Sequence, residues 1–531
     1  MFEFLPYLML LFPFVLQSYS LSRLIKNRWF DTPSGDSSIH YFLMCELERI
    51  RKGFEPKLLI GNASKPNVPS SGYSLASLFP RNFMLRCSWI HFAFLYLMGC
   101  SVVFCIQIFW MNHLNPSGYD SLSLCLSFAL YLVFFPDHLS VDEYRIQYKL
   151  LNQRYLNNIL VSACPLLLVF LEYNNNTILL VLTVLTFTIS QRVSKFALQS
   201  ILLLSLLGSL VFGLEVIYIY LSSSVINIIL SRKEYINEIS SLATSLFFQA
   251  KRFSSKSRFI EVNFPIRLKE FFKKNKFNFY FFYIIWLFFP NGRELKRMNL
   301  TEYSVIYIPC LVLLFAGTQL SEFSLFIAQM NCLICIIAFL FSLNLLSFAG
   351  EGFRYFGSLG FYTGSVQFVI FIDYIFKSIE LSGIETFLFL VFVITIAFSM
   401  RNYFTFGAPP NKEYLLKNIA ASLTLPRSGK NIAGSPMTAP FPLINEFDGI
   451  SKIFFPYVLT QVFIKNFTNG YPKLRFSDQF LRDFEISLVL QDKAFQDSEF
   501  DDFLETTSFD LETLHECTKY KLINFNSSSN D

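Results

Sequence analysis

The sequence predicts a mainly α-helical protein: a polytopic transmembrane helical bundle over residues 1–400, followed by a small soluble α/β or α+β domain over residues 401–531. Three observations lead there. The chain has 531 residues, is 53% hydrophobic and only 16% charged, and has a mean hydropathy of +0.43, whereas soluble domains are about a quarter charged. Apolar runs recur to about residue 400, and the rule of about 20 apolar residues per crossing gives about 11 to 13 spans. From Arg401 the composition changes, and Pro409-Pro410 reads as a linker.

The first span is about Phe4 to Tyr19. It lacks a basic leader and a small-residue cleavage site, so it reads as a retained helix and not a signal peptide. The polar segment 21–88 is too long for a simple connector. Within it Ile39, Leu43, Leu47 and Ile50 recur at helical spacing, predicting an amphipathic helix over Ser37 to Gly53. Spans follow at about Trp89 to Trp110, Leu122 to Phe135, Ile159 to Leu171 and Ile178 to Ile189. The run Leu198 to Leu230 exceeds one crossing, and Gly208 and Gly213 suggest two helices, or one crossing plus a re-entrant piece. Arg232 to Lys276 is basic and partly amphipathic, which suits a helix lying against anionic headgroups. Later spans are about Phe277 to Phe289, Val305 to Leu320, Cys332 to Phe348, Val366 to Phe376 and Phe387 to Met400.

In the C-terminal domain, Lys417 to Leu443 reads as short strands and turns, and Thr460 to Phe467 and Ser477 to Val489 as helices. Glu499 to Glu516 is acidic, and Tyr520 to Phe525 reads as a closing strand. A domain of roughly 120 residues holds a core of its own. The span count decides its side of the membrane, an odd number placing it opposite the N-terminus. The positive-inside rule leaves the orientation open, because basic residues in the first loop compete with those at 232–276 and 293–297.

A net charge of +5 spread over many loops argues for membrane topology and against a nucleic-acid partner. The ten cysteines are scattered, and Cys332-x-x-Cys335 lies in an apolar segment with no second pair, so it reads as packing. There is no phosphate-binding Gly-rich loop, dinucleotide fingerprint, serine-hydrolase elbow or zinc-protease motif, and five histidines make a His-rich metal cluster unexpected.

What remains is charge at membrane edges. Asp36 and His40 stand four apart and share a helix face, with Asp31 just upstream. A carboxylate there serves as a general base or holds a divalent cation against a phosphate, and Asp36 equally reads as a helix cap. Asp137, Asp142 and Glu143 lie in a second polar loop that ends near Arg154, on the same side as the first if the spans alternate. Arg354, beside Glu351 and Tyr355, is placed for a phosphate or for an internal ion pair.

The patches Asp36-Ser-Ser-Ile-His40-Tyr-Phe, Gly72-Tyr73-Ser-Leu-Ala-Ser-Leu-Phe-Pro80 and Gly350-Glu351-Gly-Phe-Arg354-Tyr355 resemble bacterial membrane proteins associated with surface polysaccharide synthesis. The layout of residues 1–400 resembles the GT-C superfamily of integral membrane glycosyltransferases, which includes oligosaccharyltransferases, protein mannosyltransferases and arabinosyltransferases. The resemblance implies a polyprenyl-phosphate-linked sugar donor in the bilayer, a glycan, lipid or protein acceptor, and catalysis on the outer face of a bacterial inner membrane. It makes Asp36 the catalytic match, with Asp31 second and His40 beside it. Asp137, Asp142, Glu143, Arg154, Glu351, Arg354 and Tyr355 are then substrate-binding candidates. Asp36 and Asp137 are candidates for a divalent metal such as Mg or Mn, although the first loop lacks the compact pair of acidic residues typical of the superfamily. A polysaccharide polymerase or ligase, a lipid-linked-sugar flippase and a membrane scaffold are the competing classes.

Overall fold

The computed structural model describes residues 154–174, 176–254, 288, 308–317, 320–346, 349, 352–379, 430–435, 450–454, 476–493, 498–516 and 520–526. These fall into two compact units, the helices up to Ile236 and from Ile308 to Ile379 in one and the strands from Lys430 onward in the other.

In the helical unit, α1 (Arg154–Tyr173), α2 (Thr177–Gln191), α3 (Lys195–Phe212) and α4 (Glu215–Ser254) follow one another through tight turns. Polar residues set the starts. Asn176 accepts from the Ile178 amide at 2.8 Å and Ser194 from the Ala197 amide at 3.0 Å, satisfying donors that the first turn leaves open. The long run over Leu198 to Leu230 divides at Gly213, whose φ of +85° closes α3; a side chain there meets the steric penalty of positive φ. The basic stretch after it is helical to Ser254, as the continuation of α4 past a non-helical Ser231 (φ −158°, ψ 61°).

The second group comprises α5 (Ile308–Phe315), α6 (Glu322–Ser342), α7 (Gly352–Leu359) and α8 (Phe361–Ile379). Helix α1 packs against α2, α6, α7 and α8, and α6 against α5, α7 and α8, so α1 and α6 form the centre. Val161, Val169, Phe187, Ile201, Leu204, Phe323 and Ile334 fill it. Phe323 holds one end, its ring 5.5 Å from Phe170 and 5.6 Å from Tyr173.

Two properties of this unit stand out. The outward faces are apolar: Ile178 is 69% exposed, Leu210 81%, Ile229 76% and Phe315 90%. The inward faces carry polar groups, with Ser162, Thr183, Gln191, Ser205, Asn227, Asn331 and Thr363 all buried. Charge is also absent from long stretches of several helices. Between Arg154 and Glu172 in α1, throughout α2, after Lys195 in α3, from Val216 to Ser231 in α4 and after Glu322 in α6 there is no charged residue. Among the described residues, one helix, α6, is long and apolar enough to cross a membrane, and the apolar stretches of α1, α2, α3 and α8 are shorter.

The second unit is a five-stranded mixed sheet in the order β2-β1-β3-β5-β4. Strands β1 (Lys430–Ser435), β2 (Ile450–Phe454) and β3 (Ile486–Asp492) are parallel. Strand β5 (Tyr520–Asn526) runs antiparallel between β3 and β4 (Asp510–Glu516). The expected helix over Ser477 to Val489 is a helix only to Asp483, as α9 (Asp478–Asp483). Ile486, Leu488, Val489 and Leu490 are all buried, the continuous apolar run of a central strand covered on both faces. Glu485, at φ 50°, makes the turn between helix and strand. Tyr520 to Phe525 is the expected strand, last in the chain, and lies inside the sheet; one edge is β4, mostly exposed and bearing Asp510, Glu512 and Glu516. Such charge discourages pairing with another sheet. Helix α9 and α10 (Ser498–Thr506) cover the sheet through a Phe cluster, Phe476 lying 4.8 Å from Phe500 and Phe503 6.1 Å from Phe525.

Candidate functional site

The sequence marks the Gly352-Phe-Arg354-Tyr355 patch, and the structure places it where α7 meets the last turns of α6 and the first turns of α3. Gly352 sits so close to α6 that a Cβ there falls 2.1 Å from the Ala338 carbonyl oxygen and 2.1 Å from Ser342 Oγ. That approach drives Tyr355 into the bundle, between Phe341 (4.5 Å) and Phe196 (4.7 Å). Its hydroxyl donates to the Ala349 carbonyl at 3.0 Å, and Gln199 Nε2 donates to the same carbonyl at 2.8 Å and to the hydroxyl at 2.5 Å. Tyr355 is 0% exposed, so here it pins three elements together. Arg354, one residue before it, is half-buried.

A second polar knot lies at the same end, where α2 passes to α3. Gln191 Nε2 donates to Ser223 Oγ at 2.8 Å. Its Oε1 accepts from Tyr235 Oη at 2.6 Å, Asn227 Nδ2 at 3.1 Å and Ser224 Oγ at 3.3 Å. Asn227 Nδ2 also donates to the Thr188 carbonyl at 3.0 Å. Midway along the bundle, Asn331 and Thr363 tie α6 to α8, Thr363 Oγ1 donating to Asn331 Oδ1 at 2.9 Å and Asn331 Nδ2 to the Thr363 carbonyl at 3.0 Å. Each knot satisfies amides whose burial without partners costs several kcal/mol in an apolar medium.

The helix directions sort the charges. Glu172, Glu215 and Glu322 gather at the end where α1 stops and α4 and α6 start, near enough to repel one another. Arg154, Arg192, Arg232, Lys233 and Arg354 stand at the opposite end, where α1 begins, α2 turns into α3 and α6 meets α7. Arg154 opens α1 by its backbone; its side chain lies outside the described residues, as do Asp31, Asp36, His40, Asp137, Asp142, Glu143 and Glu351. Thus, of the sequence candidates, Arg154, Arg354 and Tyr355 are brought to one end of the helical unit. The two metal candidates, Asp36 and Asp137, lie outside the described residues, and among the described residues no group of three or more ligating side chains could hold a metal ion.

In the sheet unit, β1, β2, β3 and β4 all point their carboxyl ends to one edge, where ligands of open α/β sheets bind. Gln491 Nε2 donates to Asp501 Oδ1 at 3.2 Å, tying β3 to α10 there. Lys493 and Glu516 form an ion pair, and the lysine's hydrogen bond and charge hold the Glu516 carboxyl below its ordinary value. Burial pushes the His515 imidazole below its ordinary value. Sequence reading missed this edge because its members are ordinary charged residues until the strand order is known.

No protein-family model and no curated protein matches the chain.

Proposed function

We propose that the chain is an integral, multi-pass membrane glycosyltransferase of GT-C type, which transfers a sugar from a polyprenyl-phosphate-linked donor to a glycan, lipid or protein acceptor. The observation that supports its membrane half is the inverted helical unit: apolar residues outward, polar knots inward, and long uncharged stretches in α1, α2, α3, α4 and α6. In water such outward faces are costly, since exposed Ile, Leu and Phe forgo about 1.5–3 kcal/mol each. In lipid they cost nothing, and inward Gln, Asn, Ser and Thr bind helices together.

The catalytic half rests on the sequence resemblance and on the clustering of Arg354 with the start of α1. The segment carrying Asp137, Asp142 and Glu143 leads into α1 at the end that carries Arg354. A guanidinium there neutralises the phosphate leaving group while the polyprenyl tail stays in lipid, and Asp36 deprotonates the acceptor hydroxyl. In membranes supplied with a labelled polyprenyl-phosphate sugar, Asp36→Asn is expected to abolish transfer at unchanged protein level. Arg354→Ala is expected to weaken donor use by roughly tenfold or more, as loss of a charge-assisted contact does. Full transfer by Asp36→Asn contradicts the assignment.

One observation favours a second reading. Arg192, Arg232, Lys233 and Arg354 share one end, and in the orientation that sets this end in the cytoplasm, one of the two that the basic loops leave open, it lies opposite to GT-C catalysis, which faces outward. A lipid-linked-sugar flippase loads from the cytoplasmic leaflet and needs no new glycosidic bond. Movement of the labelled lipid across sealed vesicles without sugar transfer selects it.

A further inference from the structure

We infer that Cys310, Cys332 and Cys335 form a reversible disulfide site, in which Cys310 on α5 pairs with either cysteine of α6 by exchange with a small uncharged disulfide. In the sequence Cys332-x-x-Cys335 has no second pair, and the fold supplies the missing thiol. Cys310 Sγ donates to the Ala328 carbonyl of α6 at 3.6 Å, and α5 packs against α6. Ala328, Cys332 and Cys335 follow at intervals of four and three, so they form one stripe along α6, and Cys310 faces it. Cys310 is 2% and Cys335 8% exposed, while Cys332 is half-buried and is the thiol that a reagent reaches first.

The chemistry closes without any further reactant. The Cys332 thiol attacks one sulfur of the external disulfide, whose S–S bond breaks and releases one thiol that carries the displaced proton. Cys310 then attacks the Cys332 sulfur of the mixed disulfide, forming the intramolecular S–S bond and expelling the second thiol. Two cysteine thiols are oxidised and one external disulfide is reduced to two thiols. Cys335 attacks the Cys310 sulfur of that bond, forming Cys310–Cys335 and releasing Cys332 as the thiol, so the linkage has two registers one helical turn apart. Either register fastens α5 to α6, and a dithiol reductant releases it.

The full chain in detergent, fully reduced and then treated with dithiodipyridine, tests this by peptide mapping after alkylation. The expected product is a peptide pair joining Cys310 to Cys332 or Cys335, with no thiopyridyl group retained on any of the three. Cys335→Ser is expected to leave the Cys310–Cys332 link intact. Cys332→Ser is expected to slow formation of the Cys310–Cys335 link about tenfold, because the accessible entry thiol is gone. The proposal is overturned if Cys310 is recovered as a free thiol, if the only link is Cys332 to Cys335, or if Cys332→Ser reacts as fast as the parent.

Discussion

Gly352 shows what a single residue can carry. With the Ala338 carbonyl and Ser342 Oγ both 2.1 Å from where a Cβ falls, no rotamer change relieves the clash, since one partner is backbone. Gly352→Ala is therefore expected to force α7 away from α6 and to destabilise the helical unit by roughly 2–4 kcal/mol, the cost of overpacking plus a disturbed buried hydrogen bond. Thermal unfolding in detergent measures it, and an unchanged midpoint contradicts the packing described. The sequence singled out this patch as a candidate phosphate site through Glu351 and Arg354. It gave no sign that the glycine is a contact point or that Tyr355 turns inward, because both follow from the approach of a helix ten residues upstream. Gln199 and Gln191 were equally invisible as partners: a lone Gln in an apolar run does not announce what it bonds.

Among elements, those with a strong apolar period were legible and those decided by tertiary packing were not. The break at Gly213 could be read from an apolar run too long for one crossing. Ser477 to Val489 could not, since Phe480, Leu481, Phe484 and Ile486 suit a helix stripe and a buried strand alike. What stops α9 is the turn at Glu485, at φ 50°, and a contact distant in sequence holds its start. Asp478 accepts from Thr507 Oγ1 at 2.6 Å, Ser508 Oγ at 2.6 Å and the Ser508 amide at 2.9 Å, tying α9 to the turn before β4. Burial raises the Asp478 carboxyl, but the hydrogen bonds from Ser508 and Thr507 and the Arg482 charge outweigh it and leave the group below its ordinary value of 3.8. The unfolded chain thus binds the proton more tightly. The contribution is complete above the ordinary value and is lost as pH falls through it towards the folded value. Asp478→Asn is expected to cost about 1–2 kcal/mol near neutrality and to flatten the acid limb of stability. Hydrogen exchange of the β3 and β5 amides in the full chain follows both, and an acid limb identical to the parent's contradicts it.

At the scale of the molecule, composition pointed towards a membrane and left the side and the chemistry open. The loops bearing Asp31, Asp36, His40, Asp137, Asp142 and Glu143 lie outside the described residues, so the catalytic assignment still stands on resemblance. The helical unit adds an inverted polarity and two ends of opposite charge, neither of which can be read without knowing which helix faces which. Both are intelligible if lipid surrounds it, since a bilayer rewards Leu210 and Ile229 pointing out while Gln191 and Asn331 point in. Labelling intact membranes with a lipid-soluble carbene precursor tests that claim most directly. The account predicts adducts on Ile178, Leu182, Leu210, Ile229 and Phe315 and none on Val161, Ile201 or Leu204. Outward residues that stay unlabelled by the carbene, while a water-soluble reagent reaches that same face, would contradict it.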